Sequence, residues 1–330
     1  MLHIHNGDSA AGIAKRSNLP GEHLAWREAL ICGPAPSGLP EIEWRQMRAH
    51  HLAEAYDLSA EDCEKSLRDQ DEALAKFVDH EEVVLWFEHD LFCQLHLLYL
   101  LNWFSQRTVG STKLSLICIN EFPGISDFHG LGELTSEQLA SLFPQRHEVT
   151  AAEMEVAIKG WAAYSSADPG NIAHLIAGDI AALPFLRAAL QKHLARFPWT
   201  LNGLGLIENV ALALIAKGAA QFDSLFQKFS KGEPTYGLGD AQLLFMLRQL
   251  ASGPEPVLTI SKGASQTATA NPEIRNTRLA LTPKGESVRR GNNDFVALNG
   301  IESWLGGVHL SGSEAAWRWD EARGELRAKR

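Results

Sequence analysis

Residues 82–94 read EVVLWFEHDLFCQ. The first six, EVVLWF, form a continuous and mostly apolar run, as expected of a strand covered on both faces. The run stops at Glu88, His89 and Asp90, and a helical stretch, DLFCQLHLLYLLNWF, then continues to Phe104. Three titratable groups therefore stand where a buried strand emerges.

The same pattern recurs along the first 132 residues. LHIH (2–5) stops at Asn6-Gly7-Asp8-Ser9, and a helix starts at AAGIAK with Asp8 or Ser9 as its expected N-cap. EHLAW (22–26) ends at Arg27-Glu28, and KLSLICIN (113–120) ends at Glu121-Phe122-Pro123-Gly124. CGPAPSGLP (32–40) reads as an irregular loop. Residues 41–78 read as helices, with Ser59 and Asp62 at the spacing of a capping box. Strands alternating with helices predict an α/β, Rossmann-like, mostly parallel sheet.

Open parallel sheets bind ligands outside the carboxyl ends of their strands. The polar clusters at those ends are thus the candidate site. Glu88, His89, Asp90 and Asp8 are the candidate catalytic residues. Asn6, Gly7, Ser9, Arg27, Glu28, Arg45 and Gln94 are the candidate ligand contacts. Each also has an ordinary role open to it: Asp8 and Asp90 as N-caps, Glu28 as an ion-pair partner of Arg27 or Arg45. Four converging acids favour a divalent metal, an amine or a hydroxyl-rich ligand. The metal candidates are Asp8, Glu88 and Asp90. No GxGxxG and no GxxxxGK[ST] is present, so neither a dinucleotide fingerprint nor a P-loop is supported.

Residues 133–200 read as a helical connecting region. Thr135 with Gln138 and Thr150 with Glu153 mark capping boxes. Arg187, His193 and Arg196 are expected on a solvated helix face. From 201 to 330 the pattern is winged-helix-like α+β. Three helices (204–219, 222–230, 237–253) precede PVLTIS and RLALTPKGESVRRG, two short strands with a Thr-Pro-Lys-Gly turn. The third helix holds one cation, Arg248, and begins near Asp240, a poor recognition helix for the major groove. Arg275, Arg278, Lys284, Arg289 and Arg290 form the basic cluster that keeps nucleic acid open as a partner. Trp317-Arg318-Trp319-Asp320 predicts a terminal strand, and His309 is expected to pack on a tryptophan.

Of the net charge of −10, residues 201–330 contribute +2 (15 Lys and Arg against 13 Asp and Glu) and the first 200 residues −12. An acidic front half is a poor nucleic-acid binder. No apolar stretch is long enough to span a membrane, and no secretion signal is read at the N-terminus. Cys32, Cys63, Cys93 and Cys118 are scattered without a CxxC pair, which suits free thiols in a cytoplasm.

HNGDS, LAWREALICGP, LWFEHDLFCQLHLL, FPGISDFHGLGELTSEQL and WLGGVHLSGSEAAWRWD together resemble a bacterial family of domains of unknown function, the one numbered 1835, with its uncharacterised C-terminal companion domain. The resemblance covers nearly the whole chain and implies no activity, substrate or cofactor. It implies an Asp where this chain has Cys93, so position 93 is read as supporting the site.

The residues point first to a cytoplasmic enzyme or sensor for a small polar or nucleotide-like ligand, with a divalent metal as the candidate cofactor. The alternatives are a transcription-related regulator and a protein-interaction module using the C-terminal domain.

Overall fold

The computed structural model describes residues 1–108, 110–262 and 276–328. Arg275 of the basic cluster lies outside the described residues. The chain builds β1 (Leu2–Asn6), α1 (Asp8–Lys15), β2 (Glu22–Trp26), β3 (Gly33–Pro34), α2 (Glu41–Tyr56), α3 (Ala60–Ala75), β4 (Glu82–Glu88), α4 (Leu91–Ser105), β5 (Lys113–Ile119), α5 (Ser136–Leu142), β6 (His147–Glu148) and α6 (Ala151–Tyr164). These form a mixed α/β fold around a five-stranded sheet of order β2-β1-β4-β5-β6. The first four strands in that order are parallel. β6 adds an antiparallel edge that the sequence reading did not contain. Two residues are too short a run to show a period.

After β1 the chain crosses to β2 on one side and later returns to β4 on the other. The direction of winding therefore changes between β1 and β4. A crevice opens at such a point, outside the carboxyl ends of the two strands.

Alternation along β4 explains how both faces are filled. Val83, Leu85 and Phe87 face α4, whereas Val84 and Trp86 pack with Ala10, Ile13 and Ala14 of α1. α4 is apolar on every side and lies inside the molecule. It buries six leucines, from Leu91 to Leu101, and each buried leucine contributes about 1.5–3 kcal/mol. The strand end at Glu88–Asp90 is thus attached to the best-anchored helix of the fold.

The remaining elements are α7 (Gly170–Ala177), α8 (Leu186–Leu194), α9 (Leu206–Ala216), α10 (Phe222–Gly232), α11 (Asp240–Leu250), β7 (Leu258–Lys262), β8 (Thr277–Leu281), helices Pro283–Arg289 and Phe295–Asn299, β9 (Ile301–Gly306), β10 (Val308–Gly312), β11 (Trp317–Asp320) and β12 (Glu325–Ala328). One buried apolar cluster runs from Leu2 to Leu310 and takes in α4, α8, α9 and α11. Among the described residues no helix is long and apolar enough to cross a membrane.

Thr135–Gln138 and Thr150–Glu153 are reciprocal capping boxes. Ser59 caps α3 by accepting from the Asp62 backbone, without the return bond that Gln or Glu would make. His309 stacks on Trp304 with ring centres 4.5 Å apart.

Several expectations are corrected. Gly33–Pro34, expected in an irregular loop, pairs in parallel with Leu305–Gly306. The N-cap of α1 is Gly7, not Asp8 or Ser9. Thr-Pro-Lys-Gly is not a turn but a helix start: the Thr282 hydroxyl accepts from Gly285 N at 2.9 Å, and Pro283 occupies the first helical position. Arg187 is exposed as expected, but His193 and Arg196 are buried, because α8 packs against α4, α7 and the segment ahead of α11.

Glu28 pairs with neither Arg27 nor Arg45. It meets Arg48, one turn beyond Arg45 in the core, through bonds of 2.8 and 2.6 Å to its two oxygens. Arg48 also donates to the carbonyls of Ala29, Cys32 and Pro34. Every guanidinium N–H is used.

Candidate acid cluster at the strand ends

Glu88 closes β4, His89 follows, and Asp90 is the N-cap of α4. Asp90 Oδ1 accepts from Cys93 N at 2.9 Å. The ordinary role of Asp90 is therefore real. A cap needs only a short side-chain oxygen, and Asn does the work as well as Asp. Capping alone does not account for a second carboxylate beside it.

Glu88 is 6% exposed and Asp90 5%. Glu88 Oε1 accepts from Leu131 N at 2.7 Å, and Oε2 accepts from the Cys93 thiol. Gln94 donates to the Glu88 carbonyl at 2.8 Å and to Cys118 Sγ at 3.4 Å, which satisfies the strand end. Ligating atoms of Glu88, Asp90 and Cys93 all lie within 4.8 Å of one another.

The hydrogen bonds behind this cluster have a defined direction. Leu30 N–H donates to His96 Nε2 at 3.3 Å, so the His96 proton sits on Nδ1. Nδ1 then donates to Asn6 Oδ1 at 2.8 Å, which turns the Asn6 amide toward Cys93 Sγ at 2.7 Å. The Cys93 hydrogen is left to point at Glu88. One backbone N–H on the β2–α2 connection thus sets the polarity of a chain reaching the acid pair.

Charge follows from burial. Loss of water pushes the Glu88 carboxyl up to about 7, with the Asp90 charge adding to the effect. Burial likewise lifts Asp90 to about 6. Burial and both carboxylates keep Cys93 a thiol. Burial lowers His96 to about 4, so it stays neutral. Two desolvated like charges need a proton or a cation between them.

Backbone covers the pair. A Cβ on Gly130 would come within 2.9 Å of Glu88 Oε1, and one on Gly237 within 2.2 Å of Asp90 Oδ1. Gly237 also has φ +62. Gly237→Ala is expected to destabilise by about 1–3 kcal/mol, from strain and contact together. Thermal unfolding reads this as a lowered Tm.

The other predicted residues are placed differently. Asp8 and Arg27 form a bidentate pair, Arg27 Nη2 to Asp8 Oδ1 at 2.7 Å, with side chains 67% and 56% exposed. Such a pair contributes at most about 1 kcal/mol. Arg27→Ala is therefore expected to shift the urea midpoint only slightly. Ser9 Oγ donates to Gly132 O at 3.4 Å. Gly7 has φ +84 and open space around it. Arg45 binds Asp71 at 2.7 Å. His89 is half-buried, with Nδ1 lacking a partner and its ring edge-on to Phe185. Burial lowers its pKa, and the neighbouring His129 acts in the same direction.

Asn6, Glu88, Asp90 and Gln94 therefore come together. Asp8, Ser9 and Arg27 lie at the outer surface, and Glu28 and Arg45 belong to separate ion pairs. Cys93, His96 and Cys118 complete the cluster. Cys93 and His96 stand three apart on α4 and so share the helix face that meets Asn6 at the end of β1. That spacing is the one signal for His96 in the sequence; Cys93 is also marked by the Asp that the resemblance implies at its position.

No family model and no curated protein matches this chain.

Proposed function

We propose that the chain is a cytoplasmic enzyme or ligand sensor, related to the bacterial family its motifs resemble. It takes a small polar or nucleotide-like ligand at the carboxyl ends of β1 and β4. A divalent cation is the partner that lets Glu88 and Asp90 ionise together. The observation that carries this reading is the pair itself: two buried carboxylates side by side where the sheet changes its winding direction.

Glu88 and Asp90 would supply oxygen ligands, and Cys93 sulfur once its proton leaves. A mixed sulfur and oxygen set suits a borderline metal such as zinc. His89, half-buried next to the pair, is the group that would exchange a proton with a bound ligand. Titration calorimetry of zinc into the metal-free chain tests the cation. The parent is expected to bind and release protons, and Glu88→Gln to bind at least tenfold more weakly. Equal binding by the two would remove Glu88 from the site.

The C-terminal segment supports a winged-helix reading. Helices α9, α10 and α11 precede the antiparallel pair β7–β8, and Gln221 between α9 and α10 bridges to Arg278 of β8. The helix offered to DNA in such an arrangement, α11, instead packs on α2, with Gln242 donating to Tyr56 at 2.7 Å. Arg289 and Arg290 both bind Glu286, and Lys284 binds Glu255. This favours a packing or protein-contact role over DNA. A mobility-shift assay is expected to show no duplex binding at physiological salt; binding with a steep salt dependence would reverse the preference.

A further inference from the structure

A cavity of about 850 Å³ lies away from the acid cluster. Its wall is made by the Gly33 turn, α2, residues 196–208, α11 and β9, and does not include Glu88, Asp90 or Cys93.

Three polar groups on this wall are left without a suitable partner. Arg196 is 8% exposed, and its guanidinium meets only His193 Nδ1, at 3.5 Å. Among the described residues no carboxylate pairs with it. Among the described residues, His51 Nε2 is a buried atom with no hydrogen-bond partner, and Glu208 Oε2, held against Gly205 at the start of α9, has no side-chain partner. Arg48 shows what a structural arginine looks like in this protein, with a carboxylate and three carbonyls around it. Arg196 has none of these.

A guanidinium stays charged at any working pH. Burying it without a bonded partner is unfavourable, and the Glu208 carboxyl is near enough to feel its charge without bonding to it. An oxyanion that accepts two parallel N–H bonds removes the penalty better than water does, because the fork matches its geometry. Phe245, Phe295 and Trp304 supply apolar surface on the same wall, with His51 edge-on to Phe245 at 5.8 Å. The volume is that of a metabolite site, about 300–1,000 Å³.

We infer that this cavity binds a small organic anion. Its carboxylate or phosphate head sits on Arg196, a hydroxyl or amine on the same molecule meets Glu208 Oε2, and its ring or chain lies against Phe245, Phe295 and Trp304. The site is separate from the acid cluster and does not depend on it.

The test is a thermal-shift titration of the full chain with inorganic phosphate, benzoate, phenyl phosphate and adenosine monophosphate. Parent, Arg196→Met, Arg196→Lys and Asp90→Asn are compared. At least one organic probe is expected to raise the Tm by several degrees in the parent and in Asp90→Asn. Arg196→Lys is expected to weaken that probe about tenfold, and Arg196→Met to abolish its effect. Phenyl phosphate acting where benzoate does not assigns a phosphate head, and the reverse a carboxylate. Arg196→Met should change the probe-free Tm only slightly, since it removes a buried charge that no carboxylate bonds and takes from Glu208 only the influence of that charge. A large fall in that Tm would show a structural arginine and overturn the inference. So would a panel with no effect, a shift that survives Arg196→Met, or one lost in Asp90→Asn.

Discussion

Arg48→Met is expected to lower the unfolding free energy by about 3–5 kcal/mol. The Arg48–Glu28 pair is fully buried, with side chains 0% and 2% exposed. Burial pushes the Glu28 carboxyl up, and the Arg48 charge and hydrogen bonds pull it down further, so it stays ionised. Removing Arg48 would strand that charge and three carbonyls, those of Ala29, Cys32 and Pro34. These carbonyls fix the connection from β2 to β3, which pairs with β9. The loss would therefore loosen the join between the first and last parts of the chain. Replacing both partners with apolar residues is expected to recover much of the stability, because no charge is then left unpaired. Urea unfolding measures both. A loss below about 1 kcal/mol for Arg48→Met would contradict the account.

Glu88→Gln is expected to act in the opposite direction. In metal-free protein at pH 8 it should raise the unfolding free energy by about 1–3 kcal/mol, relief of the buried charge outweighing the acceptor lost to Cys93 or Leu131. The sign follows from linkage. Glu88 rises from 4.5 to about 7 on folding, so between those values the folded chain holds a proton that the unfolded chain has lost. Stability from this group is present at acid pH and falls as pH rises toward 7. The gain in Glu88→Gln should therefore vanish near pH 4.5. Buried histidines tilt the parent the other way. His3, His51 and His96 are lowered to about 4 by burial, so their contribution is lost as pH falls from 6.5 toward 4. Comparing variant with parent cancels that common trend. A gain that does not depend on pH would mean Glu88 is not strained by ionising. Saturating zinc should reverse the sign, since the cation needs the carboxylate.

The strand ends were legible in the sequence because a parallel sheet imposes two visible constraints: unbroken apolar runs and an abrupt polar stop. EVVLWF followed by Glu88-His89-Asp90 shows both. The capping boxes at Thr135 and Thr150 were legible for the same local reason. Partners across the fold were not. Arg27, Arg45 and Arg48 look alike in sequence, yet only Arg48 faces the core. Which of the three reaches Glu28 depends on how α2 is rotated on the sheet. His96 is hidden inside an apolar helix, where polar residues are ordinarily buried and satisfied, and Cys93 is marked there only by the Asp that the resemblance implies. Arg196 reads as solvated because the one-sided apolar stripe of residues 183–197 does not reveal that the other side is also covered. β3 and β6 are two residues each, below the length at which alternation carries information.

The measurement that bears most directly on the acid cluster is a thermal-shift comparison of parent and Asp90→Asn against divalent metals, nucleotides and phosphorylated metabolites. Asn keeps the helix cap and removes a carboxyl that burial holds above its ordinary range, so the variant should fold with a Tm at or above that of the parent. A ligand that binds only the folded state must raise the apparent stability. The account predicts at least one metal or metabolite that stabilises the parent and fails to stabilise Asp90→Asn. A panel in which every ligand that stabilises the parent stabilises Asp90→Asn equally, or in which none acts, would contradict it and leave Glu88 and Asp90 as structural groups.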